Sequence, residues 1–193
     1  MQSIRVLFSS VCLILVATAC AAPAGDTREQ KRAAVRTMRT DALAQLYSEV
    51  PSARAVVDGA VGYAVFSSIS TKVFVVASGR GYGIARNKAT GADTYMRMME
   101  LGGGVGFGLK DIRTIMAFQT KAAWQNFVEN GIELGGDADV ALKSGEQGGS
   151  VNMTENVLSL TTGDVRVFQV TKAGAAAAAT VTAAKYYVDD ELN

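Results

Sequence analysis

Two runs of alternating glycine constrain this chain more than any other feature: Gly79-Arg80-Gly81-Tyr82-Gly83, and Gly102-Gly103-Gly104-Val105-Gly106-Phe107-Gly108. Strand side chains alternate between faces, so each run presents one face of bare backbone. The other face carries Arg80, Tyr82 and Ile84 in the first run and Val105, Phe107 and Leu109 in the second. Between them, Asn87 to Asp93 is polar, contains Gly91, and reads as a hairpin loop. The expectation is two neighbouring antiparallel strands sharing a glycine face against which something packs closely. Glycine weakens a strand by about 0.5–1 kcal/mol per site relative to alanine, so so many of them imply close approach, bends or bulges. A phosphate-binding reading fits less well. Lys110 is not preceded by the glycine a Walker loop requires, and the spacing is Gly-x-Gly-x-Gly in strand-forming surroundings, not Gly-x-Gly-x-x-Gly opening a helix.

The first residues have the layout of an export signal. Arg5 supplies the positive charge and Val6 to Val16 an apolar core, too short for the ~20 residues of a membrane span. Ala17-Thr18-Ala19-Cys20 resembles the lipobox of bacterial lipoproteins, which predicts a signal over 1–19, a lipidated Cys20 and a tether over 20–26. Ordinary cleavage after Ala19 is the alternative. Cys12 lies within the signal, so Cys20 is the mature chain's one cysteine, and an internal disulfide is excluded. A lipid thioether would consume a thiol otherwise exposed to an oxidising compartment.

Residues 1–19 hold one base and no acid, so 18 bases face 18 acids in the remainder. A balance this even argues against broad capture of nucleic acid. The remaining length suits a single domain over 27–193.

From Thr27 to about Glu49 the pattern is helical, with Val35, Met38, Ala42 and Leu46 on one side. Arg28, Lys31, Arg32, Arg36 and Arg39 lie elsewhere on it. Two readings follow: a basic amphipathic helix on an anionic membrane, or a surface helix docked on its own domain with arginines partly paired to Glu29 and Asp41. Ala53 to Asp58 is a second, short helix. Gly62–Phe66 and Lys72–Val76 read as strands joined by a turn over Ser67–Thr71, followed by the first glycine run, Thr94–Leu101, the second run and Arg113–Gln119 in a meander. Thr120 to Asn130 reads as a helix with Trp124 as a core anchor. Asn156–Thr161 and Val165–Thr171 complete the strands, and Ala173–Ala184 is either helix or strand.

Leu43-Ala-Gln-Leu-Tyr-Ser-Glu-Val-Pro-Ser-Ala-Arg54 through Gly62-Tyr-Ala-Val-Phe66, the glycine runs, the helix around Phe127, Gly136-Asp-Ala-Asp-Val-Ala141 and Val167–Gly174 together resemble the SYLF domain over about residues 40–190. The resemblance implies a lipid-binding domain, in bacteria often an exported lipoprotein. Ser67 stands where the family usually has proline, and Ala175–Ala179 where it usually has glycine and bulkier residues. Phosphoinositide and actin binding, known in eukaryotic relatives, are not carried over.

The expectation is thus an α+β domain, mostly antiparallel sheet able to curl towards a barrel, with an N-terminal helix and one inserted helix. Its expected function is non-enzymatic lipid association, with anionic phospholipid as partner and Arg28, Lys31, Arg32, Arg36, Arg39, Tyr82 and Phe107 as candidate contacts. Cys20 would anchor it to the envelope, at the outer membrane in preference to the inner, with a soluble periplasmic protein as the alternative. An envelope scaffold that binds another protein by strand addition is the second function class. The chain has no histidine, which removes Ser-His-Asp, Cys-His and ordinary zinc chemistry, and no Ser-x-x-Lys. Asp137 and Asp139 offer too few oxygens nearby for a hard-cation site. No cofactor or metal is expected.

Overall fold

The computed structural model describes residues 22–134, 151–153 and 157–193. Cys20 and the Gly135–Leu142 segment with Asp137 and Asp139 lie outside them. The described chain forms α1 (Arg28–Glu49), α2 (Ala53–Gly59), β1 (Gly62–Asn87), β2 (Asp93–Phe118), α3 (Lys121–Asn130), β3 (Ile132–Leu134), β4 (Val151–Met153), β5 (Val157–Thr162) and β6 (Val165–Val188). The fold is α+β, built on an antiparallel sheet in the order β1-β2-β6-β5-β4, with β3 also pairing β6. The sheet is open and does not close into a barrel.

Local chemistry sets the helix limits. Thr27 caps α1: its hydroxyl accepts from the Gln30 amide at 3.2 Å while the Gln30 side chain accepts from the Thr27 amide at 3.1 Å, a reciprocal capping box. Thr120 caps α3, accepting from the Ala123 amide, and Gly131 ends it in a left-handed conformation (φ 71°).

β1 and β2 are each 26 residues long, several times the usual strand. The turn expected over Ser67–Thr71 is not there; β1 runs through it, paired with Leu109–Arg113. Nor are the two glycine runs partners. Gly79, Gly81 and Gly83 pair with Glu100, Met98 and Met96, while Gly102–Gly108 pair with Ala77–Lys72 on one side and Thr182–Ala176 on the other. Ala173–Ala184 is therefore strand, hydrogen-bonded edge to edge with the second run and not laid over its face. Alanine's helix preference yields to the pairing that β2 offers.

The long strands fold back on themselves. A methyl group added to Gly83 would stand 2.5 Å from the Val65 carbonyl oxygen, one on Gly79 would stand 3.2 Å from that of Ile69, and one on Gly81 would collide with that of Ser67. Each pair lies equally far on either side of Phe74. The first glycine run is thus the face on which the first half of β1 lands, and Ser67 and Ser68 are buried there as the small side chains that fit beneath it. The close approach inferred from the alternation is real, with the same strand as its occupant.

Two clusters hold this base. Val35, Met38, Ala42 and Leu46 of α1 join Ala53 and Val57 of α2 against Val65, Ile84, Tyr95, Ile115 and Phe168. Trp124 and Phe127 of α3 join Phe66, Met96, Met98, Met116, Phe118 and Tyr186. The rings of Phe66 and Tyr186 lie 4.6 Å apart at 62°, and those of Phe118 and Trp124 5.6 Å apart at 71°, the tilted contacts aromatic quadrupoles favour. Each cluster draws residues from both halves of β1, so burial itself, at about 1.5–3 kcal/mol per large side chain, holds the ribbon closed.

Candidate functional site

Of the cations expected to meet lipid, several are occupied in docking α1. Arg39 Nη1 lies 3.0 Å from Asp93 Oδ1, a carboxylate shared with Arg86 at 2.9 Å. Arg36 donates to the Tyr95 hydroxyl at 2.9 Å and to Glu29 at 2.7 Å. The Arg36 hydrogen bond lowers the pKa of the Glu29 carboxyl, and the guanidinium is raised in return. Arg32 Nε donates to the Leu192 carbonyl at 2.6 Å, and its guanidinium lies over the Tyr95 ring. Arg28 is exposed and Lys31 half-buried. The arrangement is the docked-helix one, with Glu29 as an expected partner and Asp93 in place of Asp41. Tyr82 is half-buried and packs against the first cluster. Phe107 sits in β2 opposite Val73 of β1 and Ala177 of β6.

The other end of the base is tied down by the C-terminal turn. The buried Asp189 carboxylate takes Arg97 Nε at 2.9 Å, a hydrogen bond that raises the arginine's pKa. The Asn193 side chain accepts from the Tyr95 amide at 2.9 Å and donates to its carbonyl at 2.8 Å.

The part of the ribbon that these contacts leave out is its bend. No charged residue occurs over Val73–Gly79 of β1, Leu101–Leu109 of β2 or Ala173–Ala184 of β6, and the register sets these three windows side by side. Seven large apolar side chains are exposed among the described residues, and five lie in these windows: Val73, Phe74, Val76, Leu101 and Leu109, each 51–65% exposed.

Charge returns at the borders. On one side stand Lys72 opposite Gly108, Lys110 opposite Ser70 and Gly174, and Lys172 at the next step of β6. On the other, Arg80, Met99, Lys185 and Glu133 of β3 form one row across the sheet, with Glu100 beside it. Lys110 is half-buried, and Arg80, Lys172 and Lys185 are exposed. Asp111 is already engaged by Arg113 in an ion pair. The border is therefore basic on balance, with Lys72, Arg80, Lys110, Lys172 and Lys185 against Glu100 and Glu133.

The backbone is irregular at the same place. Phe74 has φ 56°, the one positive value at a non-glycine position among the described residues. Between Phe74 and Val76 the register slips: Phe74 pairs with Gly106 and Val76 with Gly103, so β2 spends three steps where β1 spends two. Such a bulge bends a strand, and a second glycine run allows it.

The chain has a clear relative. Over 166 residues it is 31% identical to Beta cell expansion factor A of Aeromonas veronii, a match covering 86% of this chain and 60% of that protein. The chain thus spans about three fifths of that relative's length. No family model matches it. Among the described residues no helix is long and apolar enough to cross a membrane, and no three His, Cys, Asp or Glu residues are placed to hold a metal ion.

Sequence reasoning put the aromatic contact at Tyr82 and Phe107 and missed the exposed Val73, Phe74, Val76, Leu101 and Leu109. The signal that could have found them is the coincidence of three charge-free windows, and it acquires meaning only once the strands are known to be neighbours.

Proposed function

We propose that this chain is a non-enzymatic lipid-binding module of SYLF type, held at the bacterial cell envelope through a lipidated Cys20 and touching anionic phospholipid with the bend of its ribbon. The observation that carries this reading is the charge-free bend with five exposed apolar side chains and a basic border. Contiguous exposed apolar surface marks a binding site. A basic rim suits anionic headgroups, each Lys or Arg near such a surface contributing about 1 kcal/mol. Proteins at interfaces bind through buried apolar area plus this attraction. The SYLF resemblance points the same way, and the absence of histidine from the sequence weighs against common nucleophilic chemistry.

Acyl chains on Cys20 would hold the protein to membrane whatever the domain does, at about 0.8 kcal/mol per buried CH₂. The test therefore uses Ala22–Asn193, which contains every described element. Co-sedimentation with phosphatidylethanolamine–phosphatidylglycerol vesicles should exceed that with phosphatidylcholine vesicles and weaken as salt rises. No pelleting with either lipid at either salt would refute the reading. The alternative, an envelope scaffold, has β1 in its favour as an outermost strand of the sheet, open to strand addition. A reproducible crosslinked protein partner without vesicle binding would favour it.

A further inference from the structure

We propose that the bend enters one leaflet only, as a shallow wedge, and so selects anionic bilayers whose headgroups are loosely packed; the inference rests on the lipid-binding reading above. The depth is set by where charge returns on β2. Leu101 to Leu109 is free of it, and Glu100 and Lys110 close the stretch at its two ends. Those ends lie on opposite limbs of the ribbon, Glu100 opposite Gly79 and Lys110 opposite Ser70. The two limbs are the halves brought together by the contacts of Gly79, Gly81 and Gly83 with Ile69, Ser67 and Val65. Half of the Leu101–Leu109 stretch rises at most ~13 Å at ~3.3 Å per residue, which stays within one half of a hydrocarbon core ~30 Å thick. β1 is moreover outermost in the strand order, and an open sheet edge is not tolerated deep in hydrocarbon.

Within that depth the apolar side chains are spread over both limbs. Val73 and Leu109 stand on the first, Val76 and Leu101 on the second, each 51–61% exposed. Border charge supplies only part of the attraction. Lys72, Arg80, Lys110, Lys172 and Lys185 are opposed by Glu133 opposite Lys185, and by Glu100, which accepts from the Ser70 hydroxyl at 3.3 Å across the two limbs. Apolar entry therefore carries much of the affinity, and it is the contribution that depends on curvature and lipid composition. Three strands side by side make the bend ~10 Å across, so a shallow entry displaces headgroups more than acyl chains. On a strongly convex surface the headgroups are already apart, and that displacement costs less.

The experiment titrates Ala22–Asn193 with small sonicated and large extruded vesicles of one phosphatidylethanolamine–phosphatidylglycerol composition. Affinity per accessible lipid is expected to be ~10-fold higher for the small vesicles, and this ratio is expected to persist as salt rises. The Leu101→Ser, Leu109→Ser double variant, checked for an unchanged denaturation midpoint, should bind more weakly and lose most of the ratio. In Leu101→Trp, bromine near the headgroup end of the acyl chains should quench the fluorescence more than bromine near the chain end, with the buried Trp124 of the parent as background. Parent binding with equal affinity for both vesicle sizes overturns the wedge and leaves lipid binding standing, as does stronger quenching from the chain end. A parent that binds neither vesicle overturns both. Self-association of the parent that the double variant abolishes, with vesicle binding intact, would assign the bend to a second copy and also overturn the wedge.

Discussion

Gly81 and Gly83 lie beneath the backbone of their own strand, whereas Gly102 to Gly108 lie in the bend between alanine-rich and valine-rich neighbours. The first run lets two halves of a 26-residue strand touch; the second accompanies a bulge and an exposed apolar surface. One alternating pattern thus does two jobs, and what separates them is the long-range partner. At the base that partner is polypeptide, complete with two clusters and the ion pairs of α1. At the bend Val73, Phe74, Val76, Leu101 and Leu109 each stay more than half exposed.

The contrast is broken most severely at the base. Gly83→Val should place branched carbons against the Val65 carbonyl and the Phe66 ring, costing ~3 kcal/mol or more, or abolishing the fold. Circular dichroism melting would show it. Phe66→Ala should cost ~3–5 kcal/mol, since the ring packs against Tyr186 and Phe127 and is wholly buried. A loss below ~1 kcal/mol in denaturant would mean the two halves are not held by that cluster.

Asp93→Ala sharpens the comparison at the base's edge, where Arg39, 16% exposed, would lose its carboxylate together with Arg86. Destabilisation of about 1–3 kcal/mol is expected, and it should shrink in an Arg39→Met background if the two residues act as a pair.

Burial first, then the nearby Glu100 carboxylate, pushes the Tyr186 phenol well above the ordinary tyrosine range, opposed by its hydrogen bond with Thr114. The folded state thus favours the neutral phenol. Its contribution is fully present below the unfolded value of about 10 and is lost progressively as pH rises beyond it. Urea midpoints between pH 8 and 11.5 should fall more steeply above pH 10 for the parent than for Tyr186→Phe.

The smallest stability effects belong to the bend. Leu101→Ser and Leu109→Ser, at 61% and 57% exposed, should shift unfolding by no more than ~0.5 kcal/mol while weakening vesicle binding. Destabilisation as large as at Phe66 would erase the distinction between bend and base.

Local chemistry was legible in the sequence where it is decided locally. Thr27 and Thr120 as helix starts, Val35, Met38, Ala42 and Leu46 as the buried face, and Asn87–Asp93 as a hairpin loop all stand in the structure. Ser67–Thr71 misled because a run of small hydroxyl residues looks like a turn, and its reason for being small is Gly81, far along the strand. Ala173–Ala184 was undecidable for the same kind of reason, since the glycine run of β2 supplies the pairing. The candidate site was the least legible part. Arg36 and Arg39 look like a free basic face until Tyr95 and Asp93 are placed beside them. Val73, Phe74 and Val76 look like an ordinary core strand until the fold-back leaves them outside.

Hydrogen exchange of Ala22–Asn193, free and bound to anionic vesicles, tests the account most directly. Added protection should be confined to residues 70–80, 100–110 and 172–185, with α1 and the two buried clusters unchanged. Protection over α1 with none at the bend would contradict it, and would return the membrane contact to the basic helix.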